Sequence, residues 1–156
     1  MEKIAFSRRP VPIPADYRPL YRIGQILLIL KLNCRASTSS LLKLHLFHWG
    51  LKNERNRVVL QELVAGGRTS SLVIWGFDPA LNRALQFAVS EEVCSLRDGK
   101  YVLTDKGSRL ASAFLLEDVY QAEKEFLLSL GKNVSEKDIN ILTHTWIKPD
   151  VENQSN

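Results

Sequence analysis

The most constraining part of the sequence is residues 78–111, which combine a helix start, an amphipathic stripe and a tight turn. Asp78-Pro79 is typical of a helix N-terminus, because Asp accepts hydrogen bonds from free amides and Pro at the first position loses none. Asp98-Gly99 is the favoured two-residue hairpin turn, and it predicts strands at 94–97 and 100–103 with Arg97 opposite Lys100 and Leu96 opposite Tyr101. The helix between them has an apolar stripe of Leu81, Ala84, Leu85, Ala88 and Val89 and a polar face of Asn82, Arg83, Gln86 and Ser90.

Apolar periodicity predicts further helices on both sides of this segment. A first helix from Tyr17 to Leu32 is apolar almost all round, which places it in the middle of a fold or under a partner. Helices at 41–50, capped by a hydroxyl of the preceding Ser37-Thr38, and at 54–64 follow, and then a short strand at 71–75. Beyond the hairpin, Thr104 caps a helix that extends to Leu130 with a break near Glu117-Asp118. Ser135–Asp138 resembles a capping box before a last short helix.

The chain has the size and composition of one domain with extended ends. Its 156 residues are 45% apolar, which supports one hydrophobic core. Residues 1–16 contain Pro10-Val11-Pro12-Ile13-Pro14, and Pro fixes φ and lacks an amide donor, so this stretch is predicted to be an extended arm. We expect a single domain at 17–147 and a polar tail at 148–156.

The order of these elements resembles that of a winged helix-turn-helix domain with an extra helix at 54–64. The segment from Asp78 to Ala111, with the run from Gly99 to Gly107, is similar to the recognition helix and wing of such domains. The resemblance implies a mainly α fold of the α+β type, with a small β-hairpin wing and C-terminal helices. Wings of this form occur on transcription regulators, on subunits of chromosome-organising complexes and on protein-interaction modules.

A second resemblance covers most of the chain. It rests on Phe6–Pro10, Tyr17–Cys34, Leu41–Trp49 and Trp75–Leu81, which are similar to the small middle components of bacterial three-component ABC-ATPase defence systems of the Lamassu type. This resemblance implies a non-catalytic winged-helix subunit that joins an SMC-like or Rad50-like ABC ATPase to an effector such as a nuclease, in anti-phage or anti-plasmid defence. The adaptor would hold the effector until engagement of the ATPase with foreign DNA changes the packing.

The charge distribution is asymmetric and suggests two kinds of partner. Residues 1–68 carry 12 Lys and Arg against 4 Asp and Glu, a charge of +8, whereas residues 69–156 carry 9 against 13, a charge of −4. The first half suits a polyanion such as nucleic acid, and the second suits a basic protein surface or another subunit. Ordinary solvated charge explains the same numbers.

DNA contact is one interpretation of the helix and the wing. Arg97 and Lys100 place like charges opposite each other, a mildly destabilising pair that a phosphate would relieve, or both side chains extend into water. The helix supplies a single cation and ends in Glu91-Glu92, so we expect contact with the DNA backbone without sequence specificity, or none. The candidate DNA-binding residues are Arg83, Gln86, Arg97, Lys100, Lys106 and Arg109.

Protein contact is the other interpretation. The apolar first helix, the proline-rich arm, the tryptophans beside the extra helix and the acidic residues Glu117, Asp118, Glu123 and Glu125 fit a subunit of an assembly, although each also fits a plain core or a solvated face. The candidate partner-binding residues are Phe6, Arg8, Arg9, Val11, Ile13, Tyr17, Tyr21, Trp49 and Trp75.

Catalytic patterns are weak, and we predict no enzyme activity, no cofactor and no metal site. Lys106-Gly107-Ser108 has the order of a phosphate-binding loop reversed. His45 and His48 share a helix face, but neither cysteine nor any carboxylate stands at zinc-module spacing. Glu91 and Glu92 are adjacent and point apart on a helix, so they do not form an acid/base pair.

The remaining expectations concern location and the alternative function. No apolar run approaches the roughly 20 residues that span a bilayer, and the prolines after Arg8-Arg9 do not fit an export signal. Cys34 and Cys94 lie in apolar segments, as buried thiols of a cytoplasmic protein do. The alternative to the adaptor is a stand-alone winged-helix transcription regulator, dimeric through the helix at 105–130.

Overall fold

The computed structural model describes residues 19–66 and 78–140 of the chain. A mainly α fold with a small antiparallel sheet is confirmed. The helices are α1 (Pro19–Asn33), α2 (Leu41–Leu51), α3 (Glu54–Val64), α4 (Pro79–Ser90), α5 (Asp105–Phe114) and α6 (Gln121–Leu130). The strands are β1 (Thr38–Ser39), β2 (Cys94–Arg97) and β3 (Lys100–Leu103). The boundaries predicted for the domain, residues 17 and 147, lie outside the described ranges.

Helix α1 is the centre of the fold, as its all-round apolarity predicts. Residues 26–30 have no exposed surface, and α1 packs against α2, α4, α5, α6 and the sheet. Each Leu or Ile buried in this way contributes about 1.5–3 kcal/mol. The first position of the predicted stripe behaves differently, since Leu20 is 71% exposed at the start of the helix.

A strand that the sequence did not predict joins the hairpin in the sheet. The segment 71–75, predicted as extended, lies outside the described residues, and the strand that completes the sheet is β1 at Thr38–Ser39. It pairs antiparallel with β3, so the order in the sheet is β1-β3-β2. Ala36 and Ser37, both with positive φ, turn the chain from α1 into β1. A two-residue strand has no periodicity of its own, which is why the sequence did not indicate it.

Two details of α2 differ from the sequence prediction. Its N-cap is Ser40, whose hydroxyl accepts from the amide of Lys43 at 3.2 Å, because Thr38 belongs to the strand instead. The helix continues one residue past Gly50, which was predicted as the stop. A Cβ at Gly50 would lie 2.6 Å from Cδ2 of Leu60, so this glycine allows α2 and α3 to approach closely.

Residues 78–111 have the structure that the sequence predicts for α4, the hairpin and the start of α5. The carboxylate of Asp78 accepts from the amide of Ala80 at 2.9 Å at the start of α4. Strands β2 and β3 pair as predicted, with Leu96 opposite Tyr101 and Arg97 opposite Lys100. Asp98 and Gly99 have φ values of 52° and 78°, which fits the type I′ turn.

The C-terminal elements also follow the sequence. Thr104 caps α5 by accepting from the amide of Gly107 at 3.0 Å. The predicted break near Glu117-Asp118 is a 3-10 turn at Asp118–Tyr120 that separates α5 from α6. Ser135 and Asp138 cap each other reciprocally, and residues 136–140 are helical up to the end of the described range.

Candidate interaction surface

Helix α4 presents one open face to solvent. Arg83, Gln86, Phe87 and Ser90 are exposed on it, whereas the predicted stripe is buried except for Val89, which is half-buried. Asn82 does not belong to the open face, since its Oδ1 lies 2.9 Å from Nε2 of the buried His45. Phe87 is also 45% exposed on this face, which the polar residues of the helix did not predict.

The C-terminus of α4 is closed by hydrogen bonds to its last carbonyl groups. Glu92 has a φ of 63°, and the amides of Glu92 and Val93 donate to the carbonyls of Val89 and Ala88, the pattern of a Schellman motif. The ammonium group of Lys106 donates to the carbonyl of Glu91 at 3.0 Å, where a cation also complements the helix dipole. Lys106 is therefore an exposed cation that already has an intramolecular role.

The wing carries two different surfaces because strand side chains alternate. Arg97 and Lys100 are exposed at the tip and lie on the outer face of the sheet. Leu96 lies on the opposite face with the buried Cys94, yet it is 56% exposed. The wing thus presents a pair of cations on one face and an exposed leucine on the other.

The six candidate DNA-binding residues come from three elements. Arg83 and Gln86 lie on α4, Arg97 and Lys100 on the wing, and Lys106 and Arg109 one turn apart on α5. All six side chains are exposed. Among them, Lys106 is the one for which the structure shows a hydrogen bond to the main chain.

A partly buried polar cluster links the start of α4 to α1 and to the end of α2. The carboxylate of Asp78 lies 3.6 Å from Nη1 of Arg22, 3.4 Å from Nζ of Lys52 and 3.9 Å from Nδ1 of His48. Burial by itself would raise the pKa of Asp78, but the Ala80 amide and the cations of Lys52 and Arg22 hold this pKa below its usual value. The sequence predicted the capping role of Asp78 but not its contacts with these cations.

The two histidines of α2 are neutral members of this region. Arg22 can only donate, so its Nη1, at 2.9 Å, makes Nε2 of His48 an acceptor. Burial, together with the Arg22 charge, lowers the pKa of His48 to about 4. Burial also lowers the pKa of His45, whose Nδ1 accepts from the amide of Asp78 at 3.2 Å. Both ring nitrogens of each histidine are therefore occupied by or directed at protein groups.

Two of the candidate partner-binding residues fall in the described ranges. The hydroxyl of Tyr21 bonds to the buried carboxylate of Glu123, and its ring stacks on Tyr120 at 4.8 Å between centroids. Trp49 is half-buried against the core. The acidic side chain of Glu123, predicted as surface, is only 6% exposed and also accepts from Gln25 at 3.2 Å. The other candidates, Phe6, Arg8, Arg9, Val11, Ile13, Tyr17 and Trp75, lie outside the described residues.

Within residues 19–66 and 78–140 the structure brings no three His, Cys, Asp or Glu side chains together as a metal site. Cys34 and Cys94 are buried free thiols, and burial raises the pKa of both, that of Cys94 to about 12. Neither is a reactive thiolate near neutral pH.

No helix in the described part of the chain has the length and apolarity needed to span a bilayer. Comparison with family models, with curated proteins and with solved structures found no match to the chain.

Proposed function

We propose that this chain is a non-enzymatic winged-helix adaptor subunit of the cytoplasm, which links an SMC-like or Rad50-like ABC ATPase to an effector nuclease in a bacterial defence complex. The family assignment rests on the sequence resemblance. The structure supports the proposal through the exposed apolar side chains and the charges on α4 and the wing.

The observation that carries the proposal is the exposed apolar side chain in the last turn of α4. Phe87 is 45% exposed and Leu96, on the neighbouring strand β2, is 56% exposed. Aromatic side chains exposed on a rigid helix are enriched in protein interfaces, where their burial supplies much of the binding energy. A protein partner would remove both side chains from water.

The charges on the same face also favour a protein partner over specific reading of DNA bases. Arg83 is the one cation of α4, and Glu91 and Glu92 follow at its end with exposed side chains. Phosphates would be repelled by these two carboxylates, and phosphate contacts supply most of the affinity for DNA.

The test is co-expression of this chain with the products of the neighbouring genes, among which the proposal expects an ABC ATPase and a nuclease. Phe87→Asp should abolish co-purification of at least one subunit, because a buried carboxylate would replace the aromatic ring. Val58→Asp is the matched control, since Val58 is 44% exposed on α3, and it should leave the complex intact. If the Phe87→Asp chain folds normally and still co-purifies with both subunits, α4 is not the docking face.

The second candidate function is DNA binding by a stand-alone regulator, and Arg97 and Lys100 favour it. Both cations are exposed at the tip of the wing and directly opposite each other. If the wing contacts phosphates, the Arg97→Glu/Lys100→Glu variant should bind DNA more weakly, and the slope of affinity against salt should fall by about one for each lost contact. Unchanged affinity in that variant would remove the wing from DNA binding. Tight, sequence-selective binding by the purified chain would favour the regulator over the adaptor.

A further inference from the structure

A patch of exposed apolar and acidic side chains surrounds the place where the chain enters α1. It consists of Leu20 in the first turn of α1 and of residues 116–119, which connect α5 to α6. Leu20 is 71% exposed, Leu116 85% and Val119 55%, and the side chains of Glu117 and Asp118 are exposed as well. We call these five residues the turn patch.

Hydrogen bonds and ring contacts hold the two parts of the turn patch together. Tyr21 Oη lies 3.5 Å from the carbonyl of Val119, and the hydroxyl of Tyr120 donates to the carbonyl of Tyr21 at 3.2 Å. The rings of these two tyrosines also stack, with their centroids 4.8 Å apart. Residues 1–18 directly precede α1. Because Leu20 is the second residue of α1, this segment is covalently attached at the edge of the turn patch.

The composition of residues 1–18 complements the turn patch. This segment carries Lys3, Arg8, Arg9 and Arg18 against Glu2 and Asp16, and its apolar residues include Phe6, Val11 and Ile13. Basic and apolar side chains thus match an acidic and apolar surface. At about 3.1 Å per residue of a proline-rich chain, Ile13 lies within reach of the patch.

We propose that the N-terminal arm, residues 6–17, docks on the turn patch of its own chain and covers Leu20, Leu116 and Val119. Attachment at Pro19 gives the arm a millimolar effective concentration at the patch, which favours the same chain over a second copy. The three prolines reduce the entropy lost on docking. The inference does not rest on the adaptor function, and it assigns Phe6, Val11 and Ile13 to the chain's own surface instead of to a partner.

A nitroxide spin label on Ser7→Cys of the full chain tests the proposal by NMR. Native Cys34 and Cys94 are at most 1% exposed, so the label reacts at the new thiol. We expect loss of the amide signals of residues 116–119, with the signals of the wing, residues 97–100, unchanged. Unchanged signals at 116–119, or equal losses at both places, would overturn the proposal.

Two further samples make the test specific. Leu116→Lys/Val119→Lys should restore the patch signals, whereas the matched control Val58→Lys/Leu128→Lys, which changes exposed apolar residues elsewhere, should not. In a mixture of isotope-labelled chain without nitroxide and unlabelled chain with nitroxide, the patch signals should persist. Their loss in the mixture would show that the arm binds a second copy and would contradict docking in the same chain.

Discussion

At the scale of single residues, buried polar side chains determine how the helices meet. Asp78 is both the cap of α4 and the partner of Arg22 and Lys52. Asp78 is only partly buried, and the cations of Lys52 and Arg22 favour its charged form. The sequence predicted the cap, because it is local, and missed the cations, because they come from α1 and from the residue that follows α2.

The strained backbone of Glu92 gives a prediction at this scale. Glu92 occupies the left-handed position after α4 with a φ of 63°, where glycine is favoured. Glu92→Gly should raise the free energy of unfolding by about 0.5–1 kcal/mol, since relief of the strain exceeds the entropy that glycine adds to the unfolded chain. Urea denaturation measures the change. Glu91→Gly removes the same charge where φ is −84° and should not stabilise the chain; equal stabilisation by both would contradict the strain argument.

The depressed pKa of His48 predicts loss of stability in mild acid. The pKa is about 4 in the folded chain and about 6.5 when unfolded, so the unfolded chain binds more protons between these values. Stability should fall by about 3 kcal/mol as the pH drops from 6.5 to 4. The lowered pKa of His45 also makes stability fall as the pH drops. Asp78, with its lowered pKa, affects the pH dependence of stability only at lower pH.

Unfolding measured across this pH range checks the His48 prediction against a His48→Gln variant. The variant should show a shallower dependence, retaining only the part due to His45 and the carboxylates. An unchanged slope would mean that His48 is not buried as a neutral ring between Arg22 and Asp78.

At the scale of elements, the wing is determined by its own sequence. The Asp98-Gly99 turn sets the register, and the register sets which side chains face outward. The same local rules place two cations opposite each other, which an isolated hairpin does not favour. The sequence could predict this pair, but it could not predict that Leu96 is 56% exposed, because exposure depends on which other elements pack against the strand.

The like charges of the wing predict a gain in stability on charge reversal. Lys100→Glu should raise the free energy of unfolding by about 0.2–1 kcal/mol by placing a carboxylate opposite Arg97. Lys100→Gln should give an intermediate value in thermal or urea unfolding at low salt. If neither substitution changes stability, water and salt fully screen the two cations. A phosphate bound between them would then relieve no repulsion.

At the scale of the whole molecule, α1 packs against both α2 and the later helices α4, α5 and α6, and so connects them. A buried lysine strengthens this connection, since Nζ of Lys43 donates to the carbonyls of Asn33 at 3.0 Å and of Val134 at 2.6 Å. Asn33 in turn donates to the carbonyls of Leu127 and Gly131. The end of α1 is thus bonded to α2, to α6 and to the segment that follows α6.

Removal of the Lys43 ammonium group should weaken the fold as a whole. Lys43→Met keeps most of the apolar side chain but leaves two buried carbonyls without this donor, and we expect a loss of about 2–3 kcal/mol. Lys132→Met at an exposed position is the control and should change stability little. Equal unfolding free energies for the two variants in urea would show that the Lys43 bonds contribute nothing net.

The sequence by itself determined the helices, the hairpin and its register, because caps, apolar spacing and turn residues act over a few neighbours. Only the tertiary structure decided that Thr38–Ser39 completes the sheet, that Glu123 is buried on Tyr21, and that Phe87 stays in water. These outcomes depend on contacts between residues far apart in the chain. A local sequence pattern does not indicate which side chains such contacts bury.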